Sequence, residues 1–198
     1  MRVMSSCSNF RALKNTLTVC CVAMALALSG AAWAEKADRN KPMNIEADNL
    51  DHDELKQISI FSGKVVATKG TIVLRGARLE VRQDPDGFQY GILSAEPGRR
   101  AFFRQKREGV NEWIEGESER IEYDSKADRI VLLHKADLRR YRGTVLSDQM
   151  TGQRIVYENL SDQFTVDGQA SGAKPHDNAP SGRVRAVLTP RNSDEAGK

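Results

Sequence analysis

The stretch FSGKVVATKGTIVLRGARLEV, residues 61–81, decides the fold class. Phe61, Val65 and Val66 lead to Thr68, Lys69 and Gly70. Ile72, Val73 and Leu74 follow, then Arg75 and Gly76, then Leu79 and Val81. Short runs rich in β-branched side chains and broken by glycine read as an antiparallel meander of three strands, with no room for a helix.

The same grammar extends in both directions. Upstream, Pro42 closes a polar start, Met43-Asn44-Ile45 alternates as a first strand should, and residues 48–53 follow, with turn residues around Asp53-Glu54. Downstream, Asp84-Pro85-Asp86-Gly87 is a turn in which proline fixes φ and glycine supplies a positive φ. Alternating segments continue to residue 167, and no window carries helical periodicity over three turns. The expectation is an all-β chain of about 14–16 short antiparallel strands at sandwich or barrel spacing.

A weak internal repeat runs through these segments: an apolar anchor, an acid or small apolar residue, then often an aromatic and another acid. It appears around Leu50, Leu79, Ile121 and Ile155, as in Arg120-Ile121-Glu122-Tyr123-Asp124 and Arg154-Ile155-Val156-Tyr157-Glu158. The anchors stand 29, 42 and 34 residues apart, too irregular for a strict solenoid. Such spacing suits stacked β-layers with loops of varied length.

The ends read differently. Arg2, Arg11 and Lys14 precede the apolar run of residues 17–28, and Ala32-Trp33-Ala34 gives an A-x-A site. Residues 1–34 are therefore expected to be a secretory leader cut after Ala34, which places the remainder in the periplasm. The chain has 30 basic and 27 acidic residues, and three of the basic ones fall in the leader, leaving 27 of each sign. That balance gives a nucleic-acid partner no support. Cys7, Cys20 and Cys21 also lie in the leader, so disulfides, thiolate nucleophiles and cysteine metal sites are not expected in the rest. Residues 35–41 are expected to be a flexible start, 42–170 the β-domain, 171–182 a Gly/Pro/Ser-rich linker, 183–190 a C-terminal edge strand and 191–198 a polar tail.

No nucleophile elbow or phosphate-binding glycine loop occurs, and His52, His134 and His176 are scattered. The reading is a non-enzyme without cofactor or metal. What the sequence offers instead is an apolar face on nearly every strand. By strand parity Met43, Ile45, Phe103, Ile121, Tyr123, Ile155, Tyr157, Phe164 and Val166 share it, with Val184, Ala186 and Leu188 in the last strand. This face is either an ordinary packed core or the lining of a gap that takes acyl chains, where each buried CH₂ stabilises by roughly 0.8 kcal/mol. Arg99, Arg100 and Arg104 lie in a basic run with Phe102 and Phe103, suited either to phosphates or sugars at the rim of a groove or to a solvated edge.

Four stretches carry a resemblance: PMNIEAD at 42–48, FSGKVVATKGTI at 61–72, Glu115-Gly116 leading into Ile121-Glu122-Tyr123, and RVRAVLTP at 183–190. In these the chain resembles the OstA-like family of periplasmic lipopolysaccharide-transport proteins. The resemblance implies an open, twisted β-jellyroll of about sixteen strands in two sheets that shields lipid A acyl chains. It implies lipid contacts at Met43, Ile45, Phe103 and Tyr123. It also implies head-to-tail stacking in a bridge from an LptC-like inner-membrane jellyroll to an LptD-like outer-membrane one. An unclosed jellyroll leaves free strand edges, here expected at Asn44 and Ile45 and at Val184, Ala186 and Leu188, and such edges pair without closing. His134 departs from the family pattern, standing where a glycine is usual, and the linker before Arg183 is long. A structural envelope protein with a dry core is the alternative.

Overall fold

The structure, a computed structural model, describes residues 38, 41–107, 109–168 and 182–190. The expected leader, most of the flexible start, all but the last residue of the linker, and the polar tail lie outside the described residues.

The alternation of apolar and polar side chains produces twelve strands, all paired antiparallel, and no helix among the described residues. They are β1 (Asn44–Glu46), β2 (Asn49–Asp53), β3 (Ile58–Lys69), β4 (Ile72–Gln83), β5 (Gln89–Ser94), β6 (Ala101–Lys106), β7 (Glu112–Ser118), β8 (Arg120–Asp124), β9 (Arg129–Arg142), β10 (Val145–Glu158), β11 (Gln163–Asp167) and β12 (Arg185–Leu188). Four of them, β3, β4, β9 and β10, are 12 to 14 residues long and change neighbours midway. Strand β3 pairs β2 through Ile58 to Ser62 and β1 through Val66 to Thr68. Strand β4 pairs β6 near Leu74 and β5 beyond Arg78. In β9 the switch is from β8 to β7, and in β10 from β12 to β11.

Two layers result. The first runs β2-β3-β4-β5-β8-β9-β10-β11, and the second β1-β3-β4-β6-β7-β9-β10-β12. Each has eight strand segments, so counting the four long strands twice recovers the expected sixteen, although the strands themselves number twelve among the described residues. The sequence expectation of short strands fails at residues 61–81 for the same reason. Thr68 to Gly70 leads into a true turn, but Arg75 and Gly76 lie inside the continuous strand β4. Residues 49–53 form β2, and the turn expected around Asp53-Glu54 follows at 54–57.

A crease separates the layers. It runs along the Ser62/Val65 bulge of β3, Gly76 of β4, the turn at residues 95–100, the break at Glu119, His134-Lys135 of β9 and the Gly152/Arg154 irregularity of β10. Backbone bonds stitch it: Asp48 N–H to Gly63 O, Ala95 N–H to Glu119 O and Glu119 N–H to His134 O, each 3.0 Å. In β3 and β9 the bend uses left-handed backbone, which Gly63 (φ 83°) supplies without strain. Lys64, His134 and Lys135 adopt the same region at φ 45°, 64° and 52°, a cost that L side chains bear. His134 thus occupies a bend that glycine would satisfy.

The last strand is shorter than expected. Strand β12 begins at Arg185, so Val184 precedes it, and all four of its residues are exposed. Ala186 and Leu188 therefore stand at an outer edge, because β12 is the final strand of its layer among the described residues.

Candidate lipid-binding interior

The register of the strands turns the apolar face into continuous rows. In the second layer Ile45, Ala67, Leu74, Phe103, Gly116, Leu138, Met150 and Ala186 are successive cross-strand partners. In the first layer the row is Leu50, Phe61, Leu79, Leu93, Ile121, Leu132, Ile155 and Val166. Each row crosses all eight strands of its layer and contains no polar side chain. At about 4.8 Å per strand spacing, a row extends about 34 Å. The repeat anchors Leu50, Leu79, Ile121 and Ile155 all fall in the first-layer row, on alternate strands, so the sequence repeat is the imprint of this row.

The two rows face each other across one core. Phe103, Ile121 and Tyr123 are buried in it, and Met43 and Ile45 pack against it half-buried. The five residues expected to line the interior are thereby brought together. At the centre the layers touch: a Cβ added to Gly116 would stand 2.7 Å from Leu132 Cδ1 of the opposite layer. At the β1 end the packing opens into a cleft of about 150 Å³ bordered by Met43, Ile45, Ser59, Phe61, Val81 and Gln89.

Opposite the crease, the strand-joining turns of the two layers meet, and polar contacts tie this seam. Lys69 Nζ of the second layer donates to Gln89 Oε1 of the first at 3.4 Å. Arg107 at the end of β6 reaches Asp162 in the β10–β11 turn at 2.8 Å and also pairs with Glu112. Tyr157 hydroxyl donates to Asn159 and Asp162 oxygens at 3.0 and 3.2 Å, and its ring stacks on Phe164 at 4.7 Å. Arg140 points inward, paired with the buried Asp148 at 3.3 Å and lying 5.2 Å from the Phe164 ring centre. Burial disfavours the Arg107 charge, but hydrogen bonds and the charges of Asp162 and Glu112 outweigh it and hold its pKa above the usual arginine range. The hydrogen bond from Arg107 keeps the Asp162 carboxyl below its usual range against the opposing effect of burial.

The arginines expected at the rim lie elsewhere. Ala101, Phe103 and Gln105 of β6 face inward and are buried, so Phe102 and Arg104 face out, as does Arg100 just before the strand. Arg104 pairs with Glu115 at 3.4 Å and Arg100 with Glu117 at 3.8 Å on this outer face, while Arg99 lies 3.9 Å from Glu96 in the turn. They border outer concavities instead of the interlayer opening. Of the expected edge residues, Asn44 and Ile45 lie on β1 and Ala186 and Leu188 on β12, each of which has a strand on one side only among the described residues. The seam ties were not anticipated from sequence, because Lys69–Gln89 and Arg107–Asp162 join residues 20 and 55 positions apart, and the full rows depend on the pairing register.

A family model described as LptA/(LptD N-terminal domain) LPS transport protein matches residues 44–174. The chain belongs to this family. Among its relatives, the lipopolysaccharide export system protein LptH of Pseudomonas aeruginosa is 27% identical over 163 residues, covering 82% of this chain and 87% of that one. The protein LptA of the same export system in Escherichia coli K12 is 28% identical over 181 residues, covering 91% and 89%. The crystal structure of LptH, described as the periplasmic LptA homologue of a lipopolysaccharide transport device, superposes with a TM-score of 0.65 at 23% identity. It covers 78% of this chain and 99% of that structure, and shows that the family fold is shared.

Proposed function

We propose that this protein carries lipopolysaccharide across the periplasm, holding its acyl chains between the two layers along the facing apolar rows. The observation that supports this most is the continuity of the rows from the first strand of each layer to the last. An ordinary core needs apolar residues at its centre; it does not need them in the terminal strands, where Leu50 and Ala186 are exposed. Met43, Ile45, Phe103, Ile121 and Tyr123 contact acyl chains in this reading, entering through the cleft beside Met43 or through the seam. Burial of methylenes supplies the affinity, so no catalytic group is involved.

Free edges extend the path. β1 and β2 end the layers on one side and β11 and β12 on the other, so one copy can add to the next by strand pairing, aligning the rows head to tail. The same pairing would join the ends of a bridge to LptC-like and LptD-like jellyrolls at the inner and outer membranes.

The close fit of Gly116 to Leu132 suits a second reading, a structural protein with a dry core. Gel filtration after incubation with lipopolysaccharide separates the two. The carrier co-elutes with intact lipopolysaccharide and not with a preparation stripped of all acyl chains; equal co-elution of the stripped form, or none of either, overturns the proposal.

A further inference from the structure

The outer face of the second layer is not flat. Two adjoining concavities of about 230 and 460 Å³ lie on either side of the Arg75–Phe102 contact, a scale suited to a small ligand. The smaller is bordered by the crease of β4 and by the β5–β6 turn, and carries Lys64, Arg75, Arg99 and Arg100 against one carboxylate, Glu96. The larger continues from Arg75 to Arg104 and Trp113.

Charge balance distinguishes this face from its counterpart. On the outside of the first layer, Arg78 and Arg82 share Glu80, Arg120 holds Glu122, Arg129 holds Asp124 and Arg154 holds Asp167. In the concavities, Lys64 and Arg75 have no carboxylate partner among the described residues, and Arg99 has only a 3.9 Å contact to an exposed Glu96. Glu117, the partner of Arg100, lies closer to Arg139, at 2.7 Å. Arg104 keeps Glu115 at 3.4 Å.

Aromatic rings also support two of these cations. The Arg75 guanidinium lies 5.5 Å from the Phe102 ring centre and that of Arg104 lies 4.2 Å from the Trp113 ring centre. A guanidinium supported on a ring keeps its in-plane N–H fork and loses less freedom when an anion binds.

We propose that this concave outer face is a second ligand site, distinct from the interlayer interior, and that it takes a phosphate-bearing sugar. The phosphate meets Lys64 and Arg75 in the smaller concavity, with Arg99 and Arg100 around it. The remaining volume, toward Val73 and Trp113, is too large for phosphate alone and accommodates a sugar ring. The site does not depend on lipid in the interior. Its ligand comes from the sugar headgroup of a lipid presented to this outer face or from a free phosphorylated glycan.

The test is a titration of the ¹⁵N-labelled protein with glucose 6-phosphate, glucose and inorganic phosphate in turn, read on the amides of Arg75, Ala77 and Phe102 and on the Trp113 indole. Glucose 6-phosphate is expected to give the largest shifts, and K64Q together with R75Q to weaken them at least about fivefold, the loss of two charge-assisted contacts. Both side chains are exposed, so an otherwise unchanged spectrum verifies the fold. No shifts, or shifts spread equally over the arginines of the first layer's outer face, overturn the proposal. Comparing intact lipopolysaccharide with its water-soluble deacylated glycan assigns the source: tighter binding of the intact form points to a headgroup, equal binding to a free glycan. Amides around Tyr123 and Leu132 report the interior separately, so failure of one site leaves the other legible.

Discussion

Replacing Phe103 by alanine probes the centre of the molecule. Phe103 is fully buried, between Leu74 and Gly116 in its own layer, and its ring lies against the same Gly116 position that Leu132 approaches from the opposite layer. Its loss removes the transfer free energy of the ring and leaves a cavity that two hydrogen-bonded layers cannot close. The expected destabilisation is about 3–5 kcal/mol. In a domain of this size each kcal/mol lowers the melting point by about 2–4 °C, so the midpoint falls by about 6–20 °C. The new cavity lies on the acyl-chain path. Lipopolysaccharide should therefore raise the melting point of the variant more than that of the parent, since a ligand that binds only the folded state stabilises it by mass action. Calorimetry with and without lipopolysaccharide measures both effects. A loss below about 1 kcal/mol would mean that the layers are not packed against Phe103. A full loss with no response to lipid in either protein would leave a dry core.

Three further outcomes follow from the geometry. Gly116→Val drives a side chain into Leu132, with an expected cost of about 1–3 kcal/mol; Leu132→Ala in the same chain should recover part of it, and additive effects in that double-mutant cycle would contradict the interlayer contact. Asp162→Asn weakens the seam tie to Arg107 by about 0.5–1 kcal/mol at neutral pH, a small figure because the carboxylate is half-exposed and screened by water. The folded Asp162 pKa is depressed, so its contribution is present above the unfolded value near about 3.9 and is lost as pH falls through the folded value. The difference between Asn and Asp forms should accordingly vanish in urea titrations at strongly acid pH; a difference that grew on acidification would refute the assignment. His134→Gly relieves an exposed left-handed residue at the crease and should stabilise by about 1 kcal/mol in the same assay, whereas destabilisation would show that the imidazole contributes to the bend.

The all-β class, the inward parity of Phe103, Ile121 and Tyr123, and the turn at Asp84 to Gly87 were legible because each depends on neighbours in sequence. Period-two alternation fixes which face a side chain takes, and the Gly87 N–H to Asp84 O bond of 2.9 Å is local. The four long strands were not legible. Arg75-Gly76 looks like a turn in a one-dimensional reading, yet it is a bend that keeps its strand paired on both sides, as His134-Lys135 is in β9. The exposure of all four β12 residues was not readable from parity, which says which residues share a face, not whether another layer covers it. The rim arginines were misplaced for a related reason: Arg100 and Arg104 stand at opposite parity to Phe103, so an inward Phe103 sends them outward. Seam contacts such as Arg107–Asp162 depend on how two layers meet and leave no sequence signal of their own.

The central claim is that lipid lies between the layers and not on them, and adjacent residues of β8 test it most directly. Tyr123 faces inward and is 3% exposed, while Glu122 faces outward on the same strand. A photo-reactive amino acid placed at each position in turn, followed by irradiation with lipopolysaccharide and mass analysis of the adducts, compares the two faces one residue apart. Adducts at position 123 and none at 122 are predicted. Adducts at 122 equal to or greater than those at 123 would contradict the account.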